Sequence, residues 1–228
     1  MALIKARDIH KQYTSGDVVT MALNGVDMQL EAGSFTVLAG PSGSGKTTLL
    51  NIVGTLDRPD SGRLTIAGKD VLTLSATERA RFRLMHIGFV FQAYNLIRVL
   101  TARENVSYVL QLQGVPAGER LATADRLLAE VGLEGLENRR PDQLSGGQQQ
   151  RIAVARALAT QPDIVLADEP TANLDSHTGG ELMQLMYRLN EEHGTTFLIA
   201  SHDPVVIRRA GSLIRMRDGC IVQEAAAD

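Results

Sequence analysis

The period of apolar and polar positions changes several times along the chain, and the changes divide it. Residues 1–35 alternate, broken at Thr14-Ser15-Gly16-Asp17 and Glu31-Ala32-Gly33, which predicts antiparallel strands joined by turns. The largely apolar run Phe35-Thr36-Val37-Leu38-Ala39 reads as a strand, and a helix is expected over 46–56. Pro59-Asp60-Ser61-Gly62 signals a turn before a short strand over 63–68. A further apolar strand covers 86–92 and ends on Gln92. From 101 to 159 helical spacing takes over, with helices expected over 101–113, 118–131 and 145–159 and a Gly-Val-Pro breaker at 114–116. Leu144, Ile152, Ala155 and Leu158 fit one face of the third. Strand character returns at 163–168 and 195–201, with a helix over 180–193 between them.

Strands alternating with helices imply an α/β fold, a parallel sheet flanked by helices. The helical stretch then reads as an insertion between two parts of that sheet. One domain over 1–228 is expected, with 1–92 and 160–228 forming the core and 93–159 the helical part. There is no internal repeat, low-complexity tract or long linker.

Composition narrows the picture. The chain has 228 residues, 44% of them apolar, ample for a core, and a net charge of −3 that gives no drive toward nucleic acid. A single cysteine, Cys220, excludes an internal disulfide and reads as an inert thiol. No apolar stretch approaches the roughly 18 residues that span a bilayer, so any membrane part is expected on another chain. Arg139-Arg140, Arg208, Arg209, Arg215 and Arg217 read as solvated faces, and Gln148-Gln149-Gln150-Arg151 as the polar face of a helix.

The chemistry is concentrated in a few short segments. Gly40-Pro41-Ser42-Gly43-Ser44-Gly45-Lys46-Thr47 joins a strand to a helix that continues with Thr48. Glycines let successive N–H groups turn toward phosphate oxygens, Lys46 brings a point charge to the β- and γ-phosphates, and the Thr47 hydroxyl can ligate Mg²⁺. The pattern implies binding of a nucleoside triphosphate. A second segment, Ile164-Val165-Leu166-Ala167-Asp168-Glu169, delivers two carboxylates at a strand end, where parallel sheets bind ligands. Asp168 would hold Mg²⁺ through its water shell, and Glu169 would orient the attacking water or accept its proton. A third, Leu144-Ser145-Gly146-Gly147-Gln148, opens a helix with a serine cap and two exposed glycine N–H groups, a second anion site.

These segments, with Asn173-Leu174-Asp175 and Ser201-His202-Asp203 after them, resemble in type and order the nucleotide-binding subunit of an ABC transporter over essentially the whole chain. The resemblance implies a P-loop NTPase (RecA-like) core with a parallel sheet, an N-terminal antiparallel β subdomain and an inserted α-helical subdomain. It implies a homodimer packed head to tail around two ATP molecules, each lying between the phosphate loop of one subunit and Ser145, Gly147 and Gln148 of the other. Asp175 would align the opposite site, His202 would hydrogen-bond the γ-phosphate, Gln92 would reach Mg²⁺ and the water, and Tyr13 would stack on adenine. A separate transmembrane permease would be driven from the cytoplasmic face of the inner membrane and meet the subunit near residues 93–110. Gly88-Phe89-Val90-Phe91-Gln92-Ala93-Tyr94-Asn95-Leu96-Ile97 and Ala167-Asp168-Glu169-Pro170-Thr171-Ala172-Asn173-Leu174-Asp175 are similar to the branch serving lipoprotein release, macrolide efflux and peptide export. Ala172 departs from that branch, which usually has glycine there, at a position expected to touch no chemistry.

A soluble ABC-type ATPase acting on ribosomes or DNA is the alternative. Such proteins usually carry two cassettes or long coiled-coil insertions, and neither is present. A nucleotide-gated module that barely hydrolyses is disfavoured by the paired Glu169 and His202. A small-molecule kinase would leave Leu144-Ser145-Gly146-Gly147-Gln148 unexplained.

Overall fold

A computed structural model describes residues 2–226. Strands β1 (Ala2–Ser15) and β2 (Val18–Glu31) form the long hairpin that the N-terminal alternation predicts, turning at Gly16. Buried Ile4 and Ala6 alternate with exposed Lys5 and Arg7, and an irregularity after Ala6 returns Ile9 to the buried face. After β3 (Phe35–Ala39) and α1 (Lys46–Val53) come β4 (Ser61–Ile66), which pairs with β1, and the two-residue β5 (Lys69–Asp70), completing a four-stranded antiparallel sheet ordered β2-β1-β4-β5.

Next come α2 (Ala76–His86), β6 (Ile87–Val90), α3 (Ala102–Leu112), α4 (Ala117–Glu130) and α5 (Gly146–Leu158). They are followed by β7 (Ile164–Asp168), α6 (Ser176–His193), β8 (Thr196–Ser201), the short α7 (Pro204–Ile207), β9 (Ser212–Arg217) and β10 (Cys220–Ala226). The second sheet runs β10-β9-β3-β8-β7-β6, parallel throughout except for the edge strand β10.

Two cores follow from the two faces of this sheet. Leu38, Leu166 and Leu198 pack with α1, α2 and the antiparallel sheet. Val37, Val165, Phe197 and Ile199 pack on the other face with α3, α4, α5 and α6. The three helices between β6 and β7 therefore share a core with the parallel sheet rather than enclosing one of their own.

Helix α2 and strands β9 and β10 lie where the periodicity pointed to no element. Among them α2 buries only Phe82, too little for an apolar stripe, though its Ser75–Glu78 capping box is written in the sequence. Helix α6 starts at Ser176, four residues before the expected 180, because Asp175 accepts from the backbone N–H groups of His177 and Thr178 and carries the helix through Gly179 and Gly180. One polar side chain departs from the expected polar face, while Arg209 stays exposed as expected and finds a backbone partner. The Arg209 guanidinium donates to the Gly180 carbonyl, and Gln150 is buried in the core with its Nε2 donating to the Pro170 carbonyl at 2.8 Å.

Close packing of α5 on β6 needs a glycine. A Cβ at Gly88 would sit 2.3 Å from the Ala157 carbonyl oxygen, a rigid backbone atom. Gly88→Ala should therefore force the helix off the sheet and lower unfolding free energy by about 1–3 kcal/mol, the cost of overpacking. Urea denaturation checks this, and a change within experimental error would contradict the contact.

Candidate active site at the carboxyl ends of the parallel strands

The parallel ladder aligns Ala39 with Ser201 and Asp168 with Ala200, so the residues that follow β3, β8 and β7 emerge side by side. Lys46, Glu169 and His202 line one cavity of about 450 Å³ together with Tyr13, Thr47 and Gln92. Ser42, Gly43, Gly45 and Thr48 line it as well. Gly40, Pro41 and Ser44 shape the loop from behind: Ser44 is buried, and Pro41 accepts from the Ser44 N–H at 3.2 Å. No side chain caps α1, whose N-cap Gly45 has φ +100, so its first-turn N–H groups are available to an anion.

Charge is held here under strain. Lys46 is buried and, as the structure stands, donates Nζ to the carbonyls of Gly40 at 2.8 Å and Pro41 at 3.0 Å, with Glu169 Oε1 3.9 Å away. Thr47 Oγ1 donates to Asp168 Oδ1 at 3.1 Å. Burial, and after it the charge of Glu169, push the Asp168 carboxyl above the ordinary carboxylate range, against the pull of the Thr47 hydroxyl and Lys46. A hydroxyl and a carboxylate whose ionised form lacks a full counter-charge are the hard oxygen donors that suit Mg²⁺.

Glu169 has φ +46, in the left-handed region. Its Oε2 accepts from Ser201 Oγ at 3.3 Å, and its Oε1 from His202 Nδ1 at 2.8 Å. A neutral imidazole that gives its Nδ1 proton to Glu169 keeps only an acceptor at Nε2. Donation to a phosphate in this ring position therefore takes a second proton. Tyr13 is half exposed at the cavity mouth, its hydroxyl donating to Asp57 Oδ2 at 2.8 Å, while Lys11 lies over its ring and pairs with Asp57.

Ser145, Gly147, Gln148 and Asp175 do not line this cavity. Ser145 Oγ accepts from the Gln148 N–H, and the Gln148 side chain accepts from the Ser145 N–H, a reciprocal cap. The paired glycines also have a steric cause within the chain: Cβ atoms there would lie 2.8 Å from the Tyr94 hydroxyl at Gly146 and 2.6 Å from Thr178 Cγ2 at Gly147. Asp175 caps α6 and accepts from the Thr178 hydroxyl at 2.6 Å.

Several neighbours escaped the sequence reading. Ala172 lines the cavity. Thr20, Met21 and Ala22 reach it from β2. Asn173 Nδ2 donates to the Gln92 carbonyl at 2.9 Å, and Arg156 donates to the carbonyls of Asn95 and Tyr94, both of positive φ. Among these, Ala172, Asn173, Tyr94 and Asn95 lay within segments the sequence singled out, as did Ser201 in Ser201-His202-Asp203, whereas Thr20, Met21, Ala22 and Arg156 carried no prior signal.

Among the described residues no helix is long and apolar enough to cross a membrane. The family model described as ABC transporter matches residues 23–172. The lipoprotein-releasing system ATP-binding protein LolD of Anaeromyxobacter dehalogenans is 47% identical over 97% of this chain and 93% of that protein. The macrolide export ATP-binding/permease protein MacB of Escherichia coli K12 is 44% identical over 99% of this chain, which spans only 35% of that protein's length. The ATP-binding cassette MJ0796, solved as a dimer in a post-hydrolysis state with ADP and Pi, superposes with a TM-score of 0.91 at 42% identity and covers 99% of both chains. With that coverage, and with a phosphate loop, a strand-end carboxylate pair and a glycine-opened helix in place, the chain belongs to the ABC transporter family as an ATP-binding cassette ATPase.

Proposed function

We propose that this cassette binds MgATP in the 450 Å³ cavity, hydrolyses it between two head-to-tail copies of the chain, and drives a separate transmembrane permease. The observation that carries the reading is Glu169, held by His202 and Ser201 within 3.9 Å of the phosphate-loop lysine and one residue from the Thr47–Asp168 pair. Tyr13 would carry the adenine. Loop N–H groups and Lys46 would take the β- and γ-phosphates, Lys46 exchanging two carbonyl partners for phosphate oxygens. Thr47, Asp168 and Gln92 would hold Mg²⁺, which when bound supplies positive charge to the phosphate oxygens. Glu169 would orient the attacking water and take its proton as oxygen bonds to the γ-phosphorus and the bond to ADP breaks, with His202 holding the carboxylate in place.

A single cavity leaves one side of the nucleotide open. Ser145, Gly147, Gln148 and Asp175 would close it from the second copy, so that the γ-phosphate joins the subunits and its loss releases them. The dimeric cassette with ADP and Pi, 42% identical, supports this arrangement. Relatives named for lipoprotein release and macrolide export support a permease of that branch and a peripheral place on the cytoplasmic membrane face. An apolar groove of about 390 Å³, lined by Leu84, Phe89, Phe91, Tyr108, Val109 and Leu112, is a suitable seat for the permease and overlaps the expected 93–110.

Glu169→Gln should keep ATP binding, lower turnover by about 10²–10⁴-fold and shift the chain from monomer to dimer when MgATP is added. Light scattering beside an ATPase assay reads both, and wild-type turnover in this variant would refute the role given to Glu169. Lys46→Ala should instead weaken ATP binding itself by about 10–100-fold, the loss of a charge-assisted bond, measurable by calorimetry.

Asp168 links function to stability. A carboxyl whose pKa is raised by folding penalises the native state once ionised, so the penalty is full above the raised value and vanishes below the unfolded one. Asp168→Asn should thus raise the unfolding midpoint of the nucleotide- and Mg²⁺-free protein at neutral pH while abolishing turnover. The two midpoints should converge on acidification through the carboxylate range; a constant gap across pH would sink the explanation.

A further inference from the structure

The second turn of α5 carries a glutamine that packing does not explain. Gln150 is fully buried, its Nε2 donates to the Pro170 carbonyl at 2.8 Å, and among the described residues its Oε1 has no hydrogen-bond partner. A side chain needed only to fill space would not carry an amide with an orphaned Oε1; a methionine or leucine would relieve that oxygen but deprive the buried Pro170 carbonyl of this donor. The bond to Pro170 is what singles the residue out. Pro170 directly follows Glu169, whose left-handed backbone is held by its own N–H to the Ala200 carbonyl at 2.9 Å and by the Ala172 N–H to its carbonyl at 3.2 Å. Gln150 adds a third anchor, from α5. One turn earlier on the same helix, Gly147 abuts Thr178, which is bonded to Asp175. The start of α5 is thereby tied to the segment after β7 at two points.

We propose that Gln150 is a positioning residue that couples the Leu144-Ser145-Gly146-Gly147-Gln148 turn to the carboxylate of Glu169. Contact of that turn with the ATP of the opposite copy passes through Gln150 and the Pro170 peptide, and sets the carboxylate in the chain's own site. The inference rests on the proposed water-orienting role of Glu169 and on the head-to-tail pairing; Gln150 itself meets neither nucleotide nor water.

The test compares Gln150→Met, which removes the donor at nearly constant volume, with wild type and with Glu169→Gln, using thermal unfolding, ATP-binding stoichiometry and steady-state ATPase. For Gln150→Met the expected result is one ATP bound per chain and an unfolding midpoint within about 4 °C of wild type, because removing the orphaned Oε1 offsets the loss of the Pro170 carbonyl's partner. Its KM should stay within about twofold while kcat falls about tenfold or more, as misplacement of a reacting group demands. A kcat within about twofold of wild type overturns the coupling, and so does a loss of kcat matched by lost binding stoichiometry or by a midpoint lowered by more than about 4 °C. Should the methionine variant not fold, Gln150→Asn, whose amide stops one methylene short of Pro170, decides by the same criteria. An inactive Glu169→Gln beside a fully active Gln150 variant refutes the coupling alone, whereas an active Glu169→Gln refutes the parent reading as well.

Discussion

Every reactive side chain in the cavity depends on the register of one parallel ladder. Strands β3, β8, β7 and β6 are hydrogen-bonded neighbours, and their ends deliver in turn the phosphate loop, Ser201 and His202, Asp168 and Glu169, and the segment with Gln92. Side chains alternate between faces with a period of two, so a slip of one residue in β7 would turn Asp168 away from Thr47 and put Leu166 where Val165 packs. Burial on both faces forbids that slip: Val165 belongs to one core and Leu166 to the other. The precision of the site is thus a by-product of two apolar cores that agree on a single register.

That precision is used to hold a charge arrangement the fold would not choose for stability. Asp168 is partly buried beside Glu169, and Lys46 spends its donors on the carbonyls of Gly40 and Pro41. A partly buried carboxylate without a full counter-charge and a lysine bonded to two carbonyls, with Glu169 only 3.9 Å away, leave charge incompletely satisfied. A triphosphate with a divalent cation would supply charges of both signs that the cavity lacks, a physical reason for reading it as a binding site.

Helix α5 ties this site to surfaces away from it. Its first turn lies against Tyr94 and Thr178, its second bonds the Pro170 carbonyl, and its last holds the Tyr94 and Asn95 carbonyls through Arg156, whose burial lowers its pKa from the usual guanidinium value. The apolar groove lies between β6, α2 and α3, with Arg156 also on its wall. A helix bonded to the carbonyls just after Gln92 and to the neighbour of Glu169 would serve as a packed path between groove and cavity. This role does not require long-range flexibility, only packed contacts that move together.

The chain's local chemistry determined much by itself. Periodicity and turn residues sufficed for the N-terminal hairpin, the strands at 35–39, 164–168 and 196–201 and the three helices between 101 and 159, because each carries its own apolar repeat or cap. The phosphate loop and the Asp168-Glu169 end were legible for the same reason: backbone turns and a strand end need particular residues at short spacing. Helix α2 and strands β9 and β10 were missed, since α2 buries little and the two strands gain their identity from pairing. Only the tertiary structure decided that Gln150 is core rather than polar face and that Arg209 serves a carbonyl of α6. It alone showed that Ala172 borders the cavity and that Asp57 sets Tyr13. Such roles depend on contacts between residues from 20 to 44 positions apart, and a side chain's burial or partner at that separation is written in the packing of the whole chain, not in its neighbours.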